Sequence, residues 1–378
     1  MRVRKEIKEA DKILDEASKK LSFSIISPTN EASARRNFFN KKIKNPILKY
    51  RPPVEDLLTL RRKVSSINID ERDLLDTLFF ERQRDVIKKI DLLNSVGCFD
   101  FSEKSRKLYG IPSKKLVNKS YEILNKEFKD KKSKKVLAKE AIKLIKENFQ
   151  LFGLKYKLKR GEIVASCLVK PAKREIILKK KARFSASFIN RLIVHEIGTH
   201  AFRYENGAQQ KLKIFSKGTE RYIETEEGLA VYNEERFGVL KESFLRNYAG
   251  RVIAVNVAQT NDFFNTFKEL KTFFDKKTAF QLTLRAKRGL SNTELPGGYT
   301  KDHTYLKGYY QVKDYIKKGG KLERLYFGKI NVNDLKIIKL VRLKKPKLLP
   351  NKFLLFEKGT ENGFETGVKE SSRTMYGD

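Results

Sequence analysis

Histidine is scarce in this chain of 378 residues: there are three, and His195 and His200 both fall in the short run HEIGTH, with Glu196 following the first. Imidazole is the commonest protein ligand for a transition metal. Two imidazoles on one helix with a glutamate after the first is how a zinc peptidase holds its metal and its general base. The familiar spacing places the histidines at i and i+4, whereas here they lie at i and i+5. On a regular α-helix five steps of ~100° leave the two side chains roughly 140° apart, too far round to share an ion. A π-type turn at Ile197–Thr199 would restore a common face. Gly198 lies inside the interval, where a missing Cβ eases such a distortion.

A third ligand is expected from a second helix. The acidic run IETEEGLAVYNEE begins at Ile223 and supplies it. Glu227 is the choice, with Glu226 the competing one, and Gly228 would let this helix approach the first closely. Glu234 and Glu235 are placed to orient a ligand histidine. The plain alternative is a solvated helix face with acidic residues near its N-terminus. Leu229, Ala230 and Val231 argue for burial instead.

HEIGTH followed by TEEGLA resembles the QEGLA-motif family, first labelled flavohaemoglobin expression-modulating proteins, which includes the microtubule-associated tyrosine carboxypeptidases. A third stretch, RAKRGLSNTELPGGYTKDHTYLKG, looks like another segment of that family. The likeness runs from about residue 45 to about residue 345. It implies a zinc metallopeptidase of carboxypeptidase type, with Zn2+ held by His195, His200 and Glu227 and water activated by Glu196. The substrate would be a peptide or protein C-terminus, an aromatic last residue and an acidic tail being the chemistry suggested. Tubulin itself is not carried over. Two departures stand out: Glu226 occupies the glutamine position of the family name, and His303 replaces other residue types, so His303 is not expected to be essential. For the tetrahedral oxyanion, Tyr299, His303 and Tyr305 are candidate donors. Tyr305 is preferred because it matches the family pattern. For the terminal carboxylate, a bidentate arginine fits the geometry. Arg288 is chosen over Arg285, with Lys301 and Tyr299 as further substrate-binding residues.

Bulk properties narrow the alternatives. Lys and Arg number 83 against 46 Asp and Glu, a formal net charge of +37. Such a field attracts polyanions and acidic partners, but the excess is spread along the chain and no recognised nucleic-acid-binding motif accompanies it. A nucleic-acid-associated protein is therefore the weaker alternative, ranked below a non-catalytic, zinc-stabilised regulatory module. Two cysteines, Cys98 and Cys167, are too few for a disulfide framework and are expected to be buried and reduced. No apolar run is long enough to cross a membrane. The charged start lacks the apolar centre of a secretory signal, so a cytoplasmic protein is expected.

The elements that must position these residues follow from periodicity. Helices are expected over residues 3–21, 54–67, 71–94, 114–128 and 133–152, with Asp70 and Ser133 as openings and an extended connector at 45–53. Short strands are expected at 156–159, 163–169 and 174–180, the last as an exposed strand able to pair with an extended peptide. Ser185 or Ser187 caps the HEIGTH helix and Asn206-Gly207 stops it. The second ligand helix spans 224–236, two or three more occupy 240–287, Gly297-Gly298 makes a tight turn, and 303–318 is helical. The expected organisation is an N-terminal helix and connector (1–50), a helical part (51–150), a metallopeptidase core (151–345) and a C-terminal tail (346–378), mobile from Glu357. The fold class is α+β, α-rich, with a zincin-like core of two ligand helices beside a small sheet.

Overall fold

The computed structural model describes residues 3–128, 135–161, 167–180, 184–356 and 367–370. The N-terminal half is helical: α1 (Lys5–Lys20), α2 (Glu31–Phe39), α3 (Leu57–Ser65), α4 (Leu74–Asn94), α5 (Phe101–Tyr109), α6 (Lys114–Asn125) and α7 (Ala138–Leu151). Helices α2 and α5, nine residues each, are absent from the periodicity reading. Two openings also move. Asp73, not Asp70, caps α4, its Oδ1 accepting from the amides of Leu75 and Asp76. Helix α7 opens at Leu137, whose amide donates to Glu140; Ser133 lies outside the described residues.

The strands are short: β1 (Lys135–Val136), β2 (Lys157–Gly161), β3 (Cys167–Lys170), β4 (Glu175–Lys179), β5 (Phe184–Ser185), β6 (Lys352–Leu355) and β7 (Gly367–Glu370). Strand β4 is not an exposed edge. It is the centre of a three-stranded sheet, parallel to β2 and antiparallel to β3. Alternation explains this: Ile176 and Leu178 face the core and are buried, while the lysines fall on the other face or beyond the strand. Both β4 ladders are taken, so no peptide can add to this strand.

Ser185 caps α8 (Ala186–Leu192) through the amide of Phe188. The chain continues without a break into a π-helix, Ile193–Ala201, and then α9 (Phe202–Ala208). The helix runs one residue past Asn206-Gly207 and ends at Ala208. Gly207 serves a close approach: a Cβ there would lie 2.1 Å from the Phe215 carbonyl oxygen. Asn206 is buried against the segment at 347–348, accepting from both amides and donating to the Leu348 carbonyl. After α10 (Ile214–Lys217) come α11 (Tyr222–Arg236), α12 (Glu242–Ala258), α13 (Phe263–Lys271), α14 (Lys276–Lys287), α15 (Thr304–Lys317) and α16 (Ile337–Leu340). Gly297 and Gly298 both have positive φ, at 92° and 138°, as a tight turn requires.

One apolar core joins α1, α3, α4 and α5 to the π-helix, α11 and the 325–338 segment. A second lies among α2, α6 and α12–α15. Residues 347–356 are packed onto the body: Phe353 is fully buried, and Asn148 and Asn190 hydrogen-bond the backbone of Leu354 and Phe356. Apart from β7, the stretch from Glu357 onward lies outside the described residues. Cys98 is exposed and Cys167 half-buried, where burial of both is expected from the sequence; Cys98 sits in the turn between α4 and α5. Among the described residues no helix is long and apolar enough to cross a membrane.

Candidate metal centre

The i+5 spacing is resolved by the π-helix. With hydrogen bonds running i to i+5, five residues complete roughly one turn, and the imidazoles of His195 and His200 come to one face. Their ring centroids are 5.0 Å apart. The widened turn is held from outside: the Tyr326 hydroxyl donates to the Gly198 carbonyl at 2.9 Å, and Asn233 donates to the Thr199 hydroxyl at 2.8 Å. Gly198 has a packing role besides its flexibility. A Cβ there would lie 2.5 Å from the Phe353 ring.

Helix α11 brings the third group. Glu227 Oε2 lies 3.7 Å from His195 Nε2 and 3.8 Å from His200 Nε2. One ligand atom from each of the three residues falls within 4.8 Å of the others. Glu226, one step of ~100° around the helix, turns away from this focus. It accepts from His200 Nδ1 at 2.9 Å and meets Arg203 at 2.5 Å and Lys329 at 2.8 Å. Glu234 does the same for His195, meeting Nδ1 at 2.6 Å, Arg191 at 3.0 Å and the Tyr248 hydroxyl at 3.0 Å. Glu235 is not part of this shell; it pairs with Lys313 at the surface. Gly228 permits a close approach, but to α15 and not to the histidine helix: its Cβ would lie 2.0 Å from the Gly308 carbonyl carbon.

The donor set fits zinc. Each imidazole has its Nδ1 occupied by a carboxylate, which leaves Nε2 to face the common point. Two ligands ~2.0–2.1 Å from a tetrahedral zinc stand about 3.3 Å apart, close to the separations from Glu227. That carboxylate keeps one buried oxygen, Oε2, without any hydrogen-bond partner, and a buried orphan of this kind calls for a partner. Burial alone would raise the Glu227 carboxyl, yet Lys301 at 3.3 Å and the two histidines hold it well below the usual range. Burial works against a charged imidazole, but Glu227 and Glu234 keep His195 up at about 9. Glu226 is likewise held low against burial, by Lys329 and Arg203. Glu196 projects from the same π-turn, its Oε2 4.0 Å from His200 Nε2.

The third motif surrounds this focus. Lys301 touches Glu227 and lies 6.0 Å from the Tyr305 ring centroid. The Tyr305 phenol is raised by burial and by the charge of Glu227, which puts it within electrostatic reach of the site. Tyr305 stacks on Tyr248 at 5.5 Å, with Arg251 over its ring. Tyr299 is buried, its hydroxyl 3.3 Å from that of Tyr109. Arg288 sits over the Tyr299 ring and 3.5 Å from Asp302, its Nε buried without a partner. Arg285 makes a two-pronged pair with the same Asp302. His303 is buried, with Nδ1 2.6 Å from the Thr300 carbonyl, and desolvation lowers it to about 4. Arg203, Arg191, Lys329 and Tyr248 are the site residues that sequence reasoning misses. Arg203 is the most consequential, because its guanidinium is fully buried and also donates to the carbonyls of Leu325, Gly328 and Ile330. Its position three residues after His200, on the same helix, is the one sequence signal, and it is lost among so many cations.

Comparison with known proteins gives the family. Over 129 residues, a third of this chain (33%) and 24% of the relative, the chain is 35% identical to a Homo sapiens protein named putative tyrosine carboxypeptidase. Over 127 residues it is 34% identical to the Homo sapiens microtubule-associated tyrosine carboxypeptidase 1, covering 26% of that protein. The matches thus span about a quarter of the curated relatives' length. The family model described as microtubule-associated tyrosine carboxypeptidase matches residues 36–361, most of the chain. The chain, with its paired histidines on a π-turn and its glutamate on the neighbouring helix, belongs to the microtubule-associated tyrosine carboxypeptidase family.

Proposed function

We propose that this protein is a zinc-dependent carboxypeptidase that removes the last residue of a peptide or protein chain. The observation that carries the reading is the convergence of His195 Nε2, His200 Nε2 and the unpartnered Glu227 Oε2 on one point beside Glu196. The names of the relatives support the choice of a C-terminal substrate. His195, His200 and Glu227 would hold the ion. Bound zinc supplies Lewis-acid polarisation of the scissile carbonyl and makes a nearby water acidic enough to attack near neutral pH.

The remaining steps belong to the chain's own residues. Glu234 and Glu226 fix the two imidazoles so that Nε2, and not Nδ1, faces the site. Glu196 is the general base: it accepts the proton of the attacking water and delivers it to the leaving amine. Its partial exposure suits this, since a base that exchanges protons must reach both water and substrate. Tyr305 donates to the developing oxyanion, its hydroxyl kept protonated by burial. Lys301, positively charged beside Glu227, attracts the terminal carboxylate, with Arg288 and Tyr299 behind it. Basic charge throughout the chain favours an acidic tail on the substrate.

The test is Glu196→Gln. The variant keeps zinc at one equivalent by metal analysis and loses turnover of peptides with free C-termini by at least ~100-fold, the scale of general-base catalysis. Retained hydrolysis would refute the base assignment, and a wild-type protein that takes up no zinc would remove the whole reading.

A further inference from the structure

Helix α8, the π-turn and α9 form one continuous rod, and a segment near the C-terminus runs back along it. Three asparagines tie that segment down. Asn206, near the end of the rod, holds residues 347–348. Asn190, near its start, holds Phe356, and Asn148 of α7 holds Leu354. Asn148 and Asn190 each donate to the carbonyl and accept from the amide of a single residue, as a neighbouring strand would. All three asparagines are buried, so a broken tie leaves an unpaired polar group behind. The spans match as well. From Asn190 to Asn206 a helix rises about 24 Å at ~1.5 Å per residue. An extended chain from Leu348 to Phe356 reaches about 26 Å at ~3.3 Å per residue.

Between the ties, Phe353 drops into the back of the π-turn. Its ring is fully buried and packs against Phe152, Phe202 and Phe237, with centroids 5.5, 6.3 and 4.9 Å away. The tip of the ring meets Gly198, where an added Cβ would lie 2.5 Å from Cζ. With roughly five residues to a turn, Gly198 stands about three-fifths of a turn past His195 and so faces away from both imidazoles. The ring therefore fills the space behind a turn whose front presents the two Nε2 atoms. A π-turn is rare, and on the ordinary α-helical path the same histidines would stand roughly 140° apart. Some outside contact has to make the wide turn the favoured one. Tyr326 and Asn233 bond its polar groups, and Phe353 is the group that occupies the place of the missing Cβ.

We propose that Phe353 is a positioning residue for the histidine pair. The strap of residues 347–356, anchored near both ends of the rod, presses its ring onto Gly198 and keeps the turn in the π form. The seating of this segment thereby sets metal affinity, although none of its side chains is a candidate ligand. The proposal rests on the zinc reading of the site. A phenylalanine that only filled the core would add stability to the whole chain and leave the grip on the metal unchanged.

The experiment uses the full chain with Phe353→Leu, Gly198→Ala and the two combined, titrated with zinc against a chelator. Phe353→Leu removes the ring, and Gly198→Ala drives a methyl into it. Each should weaken zinc binding by at least ~10-fold, the lower end of what losing a ligand-orienting partner costs. In the double variant the shorter leucine leaves room for the new methyl, so affinity should return to within about threefold of wild type. General destabilisation would instead add up. Affinity within about threefold of wild type in both folded single variants overturns the proposal, and so does a double variant weaker than either single one. A second arm reads amide hydrogen exchange in the zinc-free proteins. Faster exchange confined to residues 197–201 in Phe353→Leu, and reversed in the double variant, supports the strap even if wild type takes up no zinc, in which case only the zinc reading fails. Exchange that is unchanged there, or faster throughout the chain, overturns the strap.

Discussion

Replacing Gly228 by alanine tests how the ligand helix is held. Helix α11 carries Glu227, and α15 begins just after Lys301 and carries Tyr305, so their contact sets the distance between the Glu227 carboxylate and its neighbours. The two helices meet glycine to glycine. A Cβ on residue 228 would lie 2.0 Å from the Gly308 carbonyl carbon, and ordinary carbon contacts need ~3.5 Å, so the helices must part by about 1.5 Å. The obstructing atoms are backbone inside a helix and cannot swing aside. Overpacking costs typically ~1–3 kcal/mol, and this geometry places it near the upper end. With an unfolding entropy of ~2.1 cal/mol/K per residue over 378 residues, about 3 kcal/mol lowers Tm by about 4 °C. Scanning calorimetry of the zinc-free protein reads this shift, and zinc titration against a chelator reads the displacement of Glu227. Gly308→Ala should do the same, because its Cβ would lie 1.8 Å from the Glu224 carbonyl oxygen. The double variant should cost less than the sum, since the gap opened by the first admits the second. A Tm within 1 °C of wild type for both single variants, or strict additivity, would refute this account of the interface (~1 °C being about 0.8 kcal/mol here).

Other expectations concern the outer partners and acid. Glu234→Gln should weaken zinc binding by ~10–100-fold in competition titrations, as loss of a ligand-orienting carboxylate does; an affinity within about threefold of wild type would mean that His195 is oriented by other contacts. His303 is held at about 4 by desolvation against an ordinary value of 6.5. Above pH 6.5 both folded and unfolded forms are neutral there and nothing is contributed. As pH falls from 6.5 towards 4, the unfolded chain takes up a proton that the folded one refuses, so stability drops by up to about 3 kcal/mol. Urea denaturation at pH 7.0 and 4.5 should show this extra loss in wild type and not in His303→Asn. Equal acid sensitivity of the two proteins would contradict the burial argument.

Much of the candidate site was written locally. An i+5 histidine pair cannot share a face on an α-helix, so the sequence demanded a π-type turn if the pair was to act together, and the chain makes one. Helical periodicity likewise located α1, α4, α6 and α11, because a 3.6-residue repeat is a property of the strand of residues itself. What the sequence could not decide was which surfaces meet. Glu226 and Glu227 are chemically identical neighbours, and only the crossing of α11 with the π-helix sends one to His200 Nδ1 and the other between the two Nε2 atoms. Gly228 advertised a close approach without naming its partner, which proved to be α15. The lysines flanking β4 suggested an exposed edge, but pairing on both sides depends on distant β2 and β3. Arg203 and Lys329 were equally silent. Their roles arise from burial between segments far apart in the chain, where the cost of an unpaired charge or an unfilled space is fixed by the assembled core and not by local spacing.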